Sequence, residues 1–390
     1  MPHDPLYVAF SDAEYERRHR QVRERMDRSG VSALLLFGRG RSPEIHYLCN
    51  WLTTTEAHLI FPIEGKQTLF VQLSNHLPNA RRMSIIEDVR FGGSNSAGAV
   101  DSVPRVAENI KERKLEENKV GIVGGLPYRQ YERLREALPK VEWVDFSAGM
   151  RDQRQIKSKE EIERLRKASA MSDCSIAALA ELARPGIVEH ELAKIVEDAY
   201  LGAGGTNGIH FMITTSMRDP KGGIPQQHMS NRVLQKGDVL VTEISANYLG
   251  YTGQILRTFS IGEGPTPEYQ RIHDVAVEAF DRVADVIKDG TDIDQVLDAA
   301  EVVHERGYTI YDDFLHGAGQ LPPILRTRKT YRGTPQGFRF QEDMCLVIQP
   351  NVITEDAMRG VQFGEMFQVT KAGLNPFHDY PRELIVCQKS

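Results

Sequence analysis

The sequence predicts two successive domains, an α/β half followed by an α+β half. Three observations carry that expectation. The chain has 390 residues, and at roughly 150 residues per domain this suggests two domains, or one large domain with an appended module. Its first third alternates short apolar runs with amphipathic charged stretches, the pattern of strands interleaved with helices. From Gly205 onward strand patterns dominate, and longer helices are set against them.

In order, Ser11 to Gly30 reads as a helix, with Ser11 as N-cap and a glycine stop. Ala33–Phe37, His58–Phe61, Thr68–Gln72, Val120–Val123 and Val141–Phe146 read as strands, with helical patterns at Val106–Glu117 and Tyr128–Leu138. The polar stretch Asp152–Lys159 marks the domain boundary, dividing residues 1–155 from 156–390. A long helix then covers Lys159–Leu182, closed by Arg184-Pro185-Gly186, and a second covers Val188–Tyr200. His210–Thr214, Asp238–Glu243, Asn247–Tyr251 and Gln254–Phe259 read as strands, the last three as an antiparallel run. Helices at Pro267–Lys288 and Asp292–Arg306 follow. The final strands are expected at Cys345–Pro350, Val361–Phe363 and Met366–Thr370.

Composition narrows the function before any motif does. Lys and Arg total 48 against 54 Asp and Glu, a formal charge of −6, so the chain as a whole lacks the basic surface that nucleic acid requires. No apolar run approaches the roughly eighteen residues of a membrane span. The N-terminus has no basic stretch followed by an apolar one, so no secretory signal is expected and the location reads as cytoplasmic. The four cysteines, at 49, 174, 345 and 387, form no CxxC pair and read as small buried hydrophobes rather than nucleophiles.

Four segments place polar residues beside glycines inside apolar strands, where burial is costly unless the groups are satisfied or line a site. They are Gln226-Gln227-His228, Gly237 to Arg257, Phe314 to Gly319, and Val347 to Pro350 with Gly360 to Thr370. In this order, QKGDVLVTEISANYLGYTGQILRTF, LHGAG, VIQPNV and GVQFGEMFQVTKAG resemble the catalytic domain of the creatinase, prolidase and aminopeptidase P superfamily, whose fold is called the pita bread. IKSKEEIERLRKA is similar to the helix that opens that domain, and Ser11 to Ser147 resembles the family's N-terminal domain through EIHYLCNW. The resemblance implies an α/β N-terminal domain, a pita-bread α+β catalytic domain and a homodimer.

In the family's metallopeptidases two divalent metals sit among two aspartates, a histidine and two glutamates. By resemblance these positions fall on Glu243, Gln254 eleven residues later, His316, Gln349 and Gly364, with Glu365 beside the last. A metal pair needs several anionic oxygens, and this set offers few. Creatinase and the ectoine hydrolases share the fold and work through a histidine instead. The corresponding residue here is His228, ten residues before Asp238, and an imidazole titrating near neutrality suits a general acid and base. The alternative is a loop histidine without such a role. Where creatinase holds its substrate with carboxylates, this chain has Leu256 and Gln349, which disfavours a guanidinium substrate. The stretch Leu325–Phe340 carries Arg326, Arg328, Lys329, Arg332 and Arg339 and no acid. It is either a solvated basic loop or a source of one arginine, Arg326, for a substrate carboxylate.

The resulting expectation is a metal-independent hydrolase, without a cofactor, cleaving an amide, carbamate, lactam or amidine C–N bond in a small non-peptide molecule. His228, Glu243 and Glu365 would be catalytic; Gln254, His316, Gln349, His210 and Arg326 would bind substrate. The alternative is a single-metal Xaa-Pro aminopeptidase or dipeptidase, the ion held by Glu243, His316 and Glu365. A non-catalytic binding protein or a lyase on the same fold is the third reading.

Overall fold

A computed structural model describes residues 4–93, 102–330 and 337–387. The chain divides into two compact units, Met1–Arg154 and Gln155–Ser390.

The first unit is a six-stranded mixed sheet with helices. Its strands are β1 (Ala33–Gly38), β2 (Ala57–Pro62), β3 (Thr68–Gln72), β4 (Asp88–Gly93), β5 (Lys119–Val123) and β6 (Glu142–Asp145), in the order β4-β3-β2-β1-β5-β6. The helices are α1 (Asp12–Arg28), α2 (Pro43–Cys49), α3 (Leu77–Met83), α4 (Val103–Glu112), α5 (Tyr128–Ala137) and α6 (Ser147–Gln155). Ser11 caps α1 by accepting from the Glu14 N–H. Helix α4 begins earlier and ends earlier than its apolar pattern suggests, because Pro104 suits a first turn.

The second unit opens with α7 (Lys159–Leu182), whose start is fixed by a reciprocal capping box between Ser158 and Glu161. Helix α8 (Glu191–Leu201) follows, then three long antiparallel strands, β7 (Thr206–Ser216), β8 (Asp238–Tyr248) and β9 (Tyr251–Ile261). The stretch Asn247–Tyr251 is not a separate strand but the tip of the β8–β9 hairpin, where Leu249 and Gly250 both take positive φ, as a two-residue hairpin turn requires. Then come α9 (Pro267–Val286), α10 (Ile293–Ala300) and α11 (Val302–Glu305); the single helix expected over 292–306 is interrupted at Glu301.

The remaining strands are β10 (Thr309–Ile310), β11 (Leu315–Gly317), β12 (Leu321–Leu325), β13 (Cys345–Ile348), β14 (Val352–Ile353), β15 (Glu365–Val369), β16 (Leu374–Pro376) and β17 (Ile385–Cys387). Five of them build a sheet in the order β12-β11-β13-β15-β16, β10 pairs with β14, and β17 joins β9, β8 and β7 in a four-stranded sheet. Residues 361–363 are not a strand of their own. They lead into the point where Leu256 and Gly364 exchange both backbone hydrogen bonds, at 3.0 and 3.1 Å, and so stitch the two sheets together.

Alternation along β8 assigns the faces. Leu240, Ile244 and Ala246 pack with residues of α7 and α8, while Val239 and Val241 join the core built on α9. Glu243 shares the face of Val239 and Val241, turned toward the second sheet. All four cysteines are free, and Cys49, Cys345 and Cys387 are buried with thiols pushed up to about 12 by burial. Among the described residues no helix is long and apolar enough to cross a membrane.

Candidate active site

The stitched sheets bring Glu243, Gln254, Gln349 and His316 together. Gln254 stands across from Ser245 and two residues from Leu256, the partner of Glu243, so both side chains leave the hairpin on one face. The Gln254 Nε2 donates to Glu243 Oε1 at 3.0 Å and to Gln349 Oε1 at 2.7 Å. Gln349 Nε2 in turn donates to the carbonyl of Asp313 at 3.1 Å and to its Oδ2 at 3.2 Å. Gln362 closes the other side, its Nε2 lying 3.4 Å from Glu243 Oε2. The result is a chain of buried amides linking two carboxyls.

His316 enters from β11. Its Nδ1 bonds the Gly317 carbonyl at 2.9 Å, which makes Nδ1 the protonated nitrogen and leaves a lone pair on Nε2. Burial holds its pKa below the ordinary value, against the pull of the Gly317 carbonyl and the Gln349 amide.

Three acids shape the electrostatics. Burial, with the Asp312 charge adding to it, pushes the Glu243 carboxyl up to about 7. The same two causes push Asp313 up to about 8. Asn351 fixes the turn that carries this pair. Its Oδ1 accepts from the N–H groups of Tyr311 and Asp312, and its Nδ2 donates to the carbonyls of Asp313 and Gln349. Asp312, Asp313, Tyr311 and Gln362 were absent from the residues expected to matter. The available signal was a pair of acids one residue before the LHGAG segment. The cluster is therefore not poor in acids, and the argument against a guanidinium substrate drawn from Leu256 and Gln349 loses its basis.

Three expected site residues are engaged away from the chain of amides. Glu365 lies one residue beyond Gly364, so strand alternation turns it to the opposite face. There its two oxygens bond Arg257 (2.5 Å) and Arg382 (3.0 Å). His210 faces Ile244 across the ladder and so shares the helix-covered side of the sheet, with its Nε2 2.8 Å from the Tyr200 hydroxyl. Burial lowers its pKa to about 4. Arg326 donates to the Tyr311 carbonyl at 2.5 Å and so buttresses the acid turn. In the basic loop, Arg328 pairs with Asp294 and Asp298, and Arg339 with Asp292, while Arg332 lies outside the described residues. His228 is exposed and makes no hydrogen bond among the described residues. Its loop is anchored nearby by Glu189, whose carboxylate accepts from Ser230 and Thr214.

Two family models match this chain: Creatinase/Prolidase N-terminal domain over residues 18–156, and Metallopeptidase family M24 over residues 163–371, more than half its length. The chain belongs to metallopeptidase family M24. A protein of Sinorhizobium fredii described as an uncharacterized hydrolase/peptidase is 26% identical over 397 residues, covering 97% of each chain. A Xaa-Pro dipeptidase of Pyrococcus horikoshii is 24% identical over 375 residues, covering 94% of this chain and 98% of its own. Among solved structures, a prolidase from Thermococcus sibiricus superposes with a TM-score of 0.82 at 22% identity, over 97% of this chain and all of that one. An X-Pro aminopeptidase from Thermotoga maritima gives 0.80 at 20% identity, over 94% and 99%. These two likenesses establish the pita-bread fold.

The M24 match overturns two expectations. A metal-independent enzyme for small non-peptide molecules and the absence of a cofactor both gave way to a family of metallopeptidases, among whose members is a relative named Xaa-Pro dipeptidase. Yet the side chains of this M24 member do not fit a metal pair. Among the described residues no three of His, Cys, Asp and Glu are grouped to hold an ion. Gln254 directs its amide nitrogen, not an oxygen, at both neighbouring acceptors. At Gly364 a side chain has no room: a Cβ would lie 2.6 Å from the Ile348 carbonyl and 2.9 Å from Leu256 Cδ1. Glu365, one of the three acids and imidazoles expected to hold a single ion, is committed to its two arginines.

Proposed function

We propose that this chain hydrolyses the C–N bond of a short peptide, a dipeptide of the kind named for its Xaa-Pro dipeptidase relatives, with Glu243 as the proton-transferring group. The observation that carries the reading is the Glu243 carboxyl. It lies at a position where the family keeps a metal-binding acid and is held near 7 by burial and Asp312, where a carboxylate can accept a proton from water and return it.

The surrounding groups suit the later steps. The Tyr311 hydroxyl is buried beside Gln362 and can donate to the oxygen that gains charge as water adds to the carbonyl. Asp313, with its pKa near 8, is protonated at neutral pH and can pass a proton toward the departing nitrogen. Gln254 and Gln349 hold the two carboxyls in register. No step is assigned to a metal.

The test is hydrolysis of a panel of Xaa-Pro, Pro-Xaa and proline-free dipeptides, with manganese, cobalt and zinc each supplied in turn. At least one dipeptide should be cleaved, and Glu243→Gln should cost on the order of a hundredfold in kcat/KM, the usual size of a lost acid–base group. No turnover of any dipeptide under any metal condition would sink the reading. A homodimer and a cytoplasmic location belong to the same proposal, and sedimentation of the purified protein tests the first.

A further inference from the structure

Two antiparallel ladders meet at the acid turn, and they are out of step by one residue. Ile310 pairs with Val352 at the end of β10, and Leu315 pairs with Ile348 at the start of β11. Between these pairs the four residues 311–314 oppose the three residues 349–351, which is the count of a β-bulge. Its effect shows in the packing. Successive strand residues face opposite ways, yet Phe314 and Leu315 both enter the core built on α9. A regular strand would carry Asp312 onto the face of His316; the extra residue puts Asp313 there instead. Asp313 Oδ2 thus lies 3.2 Å from Gln349 Nε2, while Asp312 is exposed and its Oδ1 accepts from the Asp313 N–H at 2.8 Å.

A bulge disrupts the ladder locally and leaves backbone groups to be satisfied in another way. The shorter side is poorly equipped to do so, because Pro350 has no N–H to give. The side chain of the fully buried Asn351 takes over. Its Oδ1 accepts from the N–H groups of Tyr311 at 3.0 Å and Asp312 at 2.9 Å. Its Nδ2 donates to the carbonyls of Asp313 at 2.8 Å and Gln349 at 3.0 Å. A primary amide alone among side chains offers an acceptor with two lone pairs and two donors, and an aspartate of the same shape could not donate when ionised. Four bonds therefore tie both sides of the bulge to one planar group.

We propose that Asn351 is a positioning residue of the active site: its amide replaces the ladder partners that the bulge at 311–314 lacks, and so holds Asp313, rather than Asp312, against Gln349. The catalytic consequence rests on the proposed role of Asp313 as proton donor, whereas the placement itself does not.

The experiment has one arm without substrate and one with it. Amide exchange followed by NMR on the full chain should find the Tyr311 and Asp312 amides protected in the wild type, although neither lies in a strand. Asn351→Ala should speed exchange at those two amides by about tenfold, the size of a lost hydrogen bond. Fast exchange in the wild type, which needs no folded variant to observe, or unchanged protection in Asn351→Ala would overturn the proposal. In the kinetic arm, on a dipeptide that the enzyme cleaves, Asn351→Ala should lower kcat by about tenfold or more and leave KM unchanged, as a misplaced group does. That loss should vanish in an Asp313→Asn background, where there is no proton donor left to place. Equal losses in the two backgrounds would mean that Asn351 supports only the fold, and its positioning role would be refuted. If no dipeptide is cleaved, the proposed reaction fails, and amide exchange alone decides whether Asn351 holds the bulge.

Discussion

Glu243 and Asp313 present a paired titration, and its consequences are measurable. As the proposed base, Glu243 must be ionised, so kcat/KM should rise with pH through about 7; as the proposed acid, Asp313 must keep its proton, so the rate should fall above about 8. Asp313→Asn should remove the alkaline fall and leave the acid limb, and a profile unchanged in that variant would refute its role. Stability carries the opposite sign to activity. The folded pKa of Glu243 lies above its ordinary value of 4.5, so its contribution is fully present below about pH 4.5 and is lost as pH rises toward 7. Glu243→Gln should therefore be more stable than the wild type at pH 8, by up to ~3 kcal/mol, with the difference vanishing in urea melts near pH 4. Glu365 behaves differently. With side chains 0% and 2% exposed, Arg257 and Glu365 form a buried ion pair, and Glu365→Gln strands a buried guanidinium at a cost of about 3 kcal/mol. Urea unfolding should register that loss while KM for any cleaved dipeptide stays unchanged. The sequence motifs located Glu243, Gln254, His316 and Gln349 because strand text and spacing carry register. They misplaced Glu365 because a one-residue step along a strand changes its face, a rule that places it opposite Gly364 once the strand is recognised. Asp312 and Asp313 escaped because a turn has no periodicity to mark which acids point inward.

The β8–β9 hairpin is the element on which the site depends, and α7 sets its position. Ser172 on α7 donates to the Gly253 carbonyl at 2.6 Å and accepts from the Ala246 N–H at 2.9 Å, so the helix is bonded directly to both strands. Gly253 makes that approach possible: a Cβ there would stand 2.1 Å from the Ser169 nitrogen. Gly253→Ala should push α7 off the hairpin, cost about 3 kcal/mol and displace the neighbouring Gln254, lowering activity together with stability. Gly202→Ala, at a position with open space around it, is the matched control and should change neither. Equal losses in the two variants would remove the packing argument. The hairpin also explains which elements were readable. The apolar alternation of β8 and β9 announced strands, but Asn247 to Tyr251 looked like a third because Tyr248 and Tyr251 continue the strand composition. Only the backbone reversal at Leu249-Gly250 separates the arms. Likewise α10 and α11 share one amphipathic pattern, and periodicity cannot register the break at Glu301.

At the scale of the molecule, each unit has apolar clusters of its own among the described residues: one in the first is drawn from residues between Ala33 and Trp143, and three in the second from residues between Ile156 and Cys387. The start of the second unit is tied to its own interior. Ile156 bridges Met344, the Lys157 N–H donates to the Asp343 carbonyl at 3.0 Å, and Ser158 and Glu161 cap α7. A fragment of residues 155–390 retains those three clusters and both ends of the amide chain from Glu243 to Asp313. It should fold alone, melt in one cooperative transition, and keep the pH dependence of stability assigned to Glu243, since no group named in that titration lies before residue 155. Circular dichroism melts at pH 4 and pH 8 on the fragment and on its Glu243→Gln variant test this directly. A broad, non-cooperative melt would mean that the core of the second unit is not self-sufficient. A cooperative melt with no pH-dependent difference between the two would instead remove Glu243 as a group strained by burial, and with it the argument that its carboxyl is poised near neutrality for catalysis.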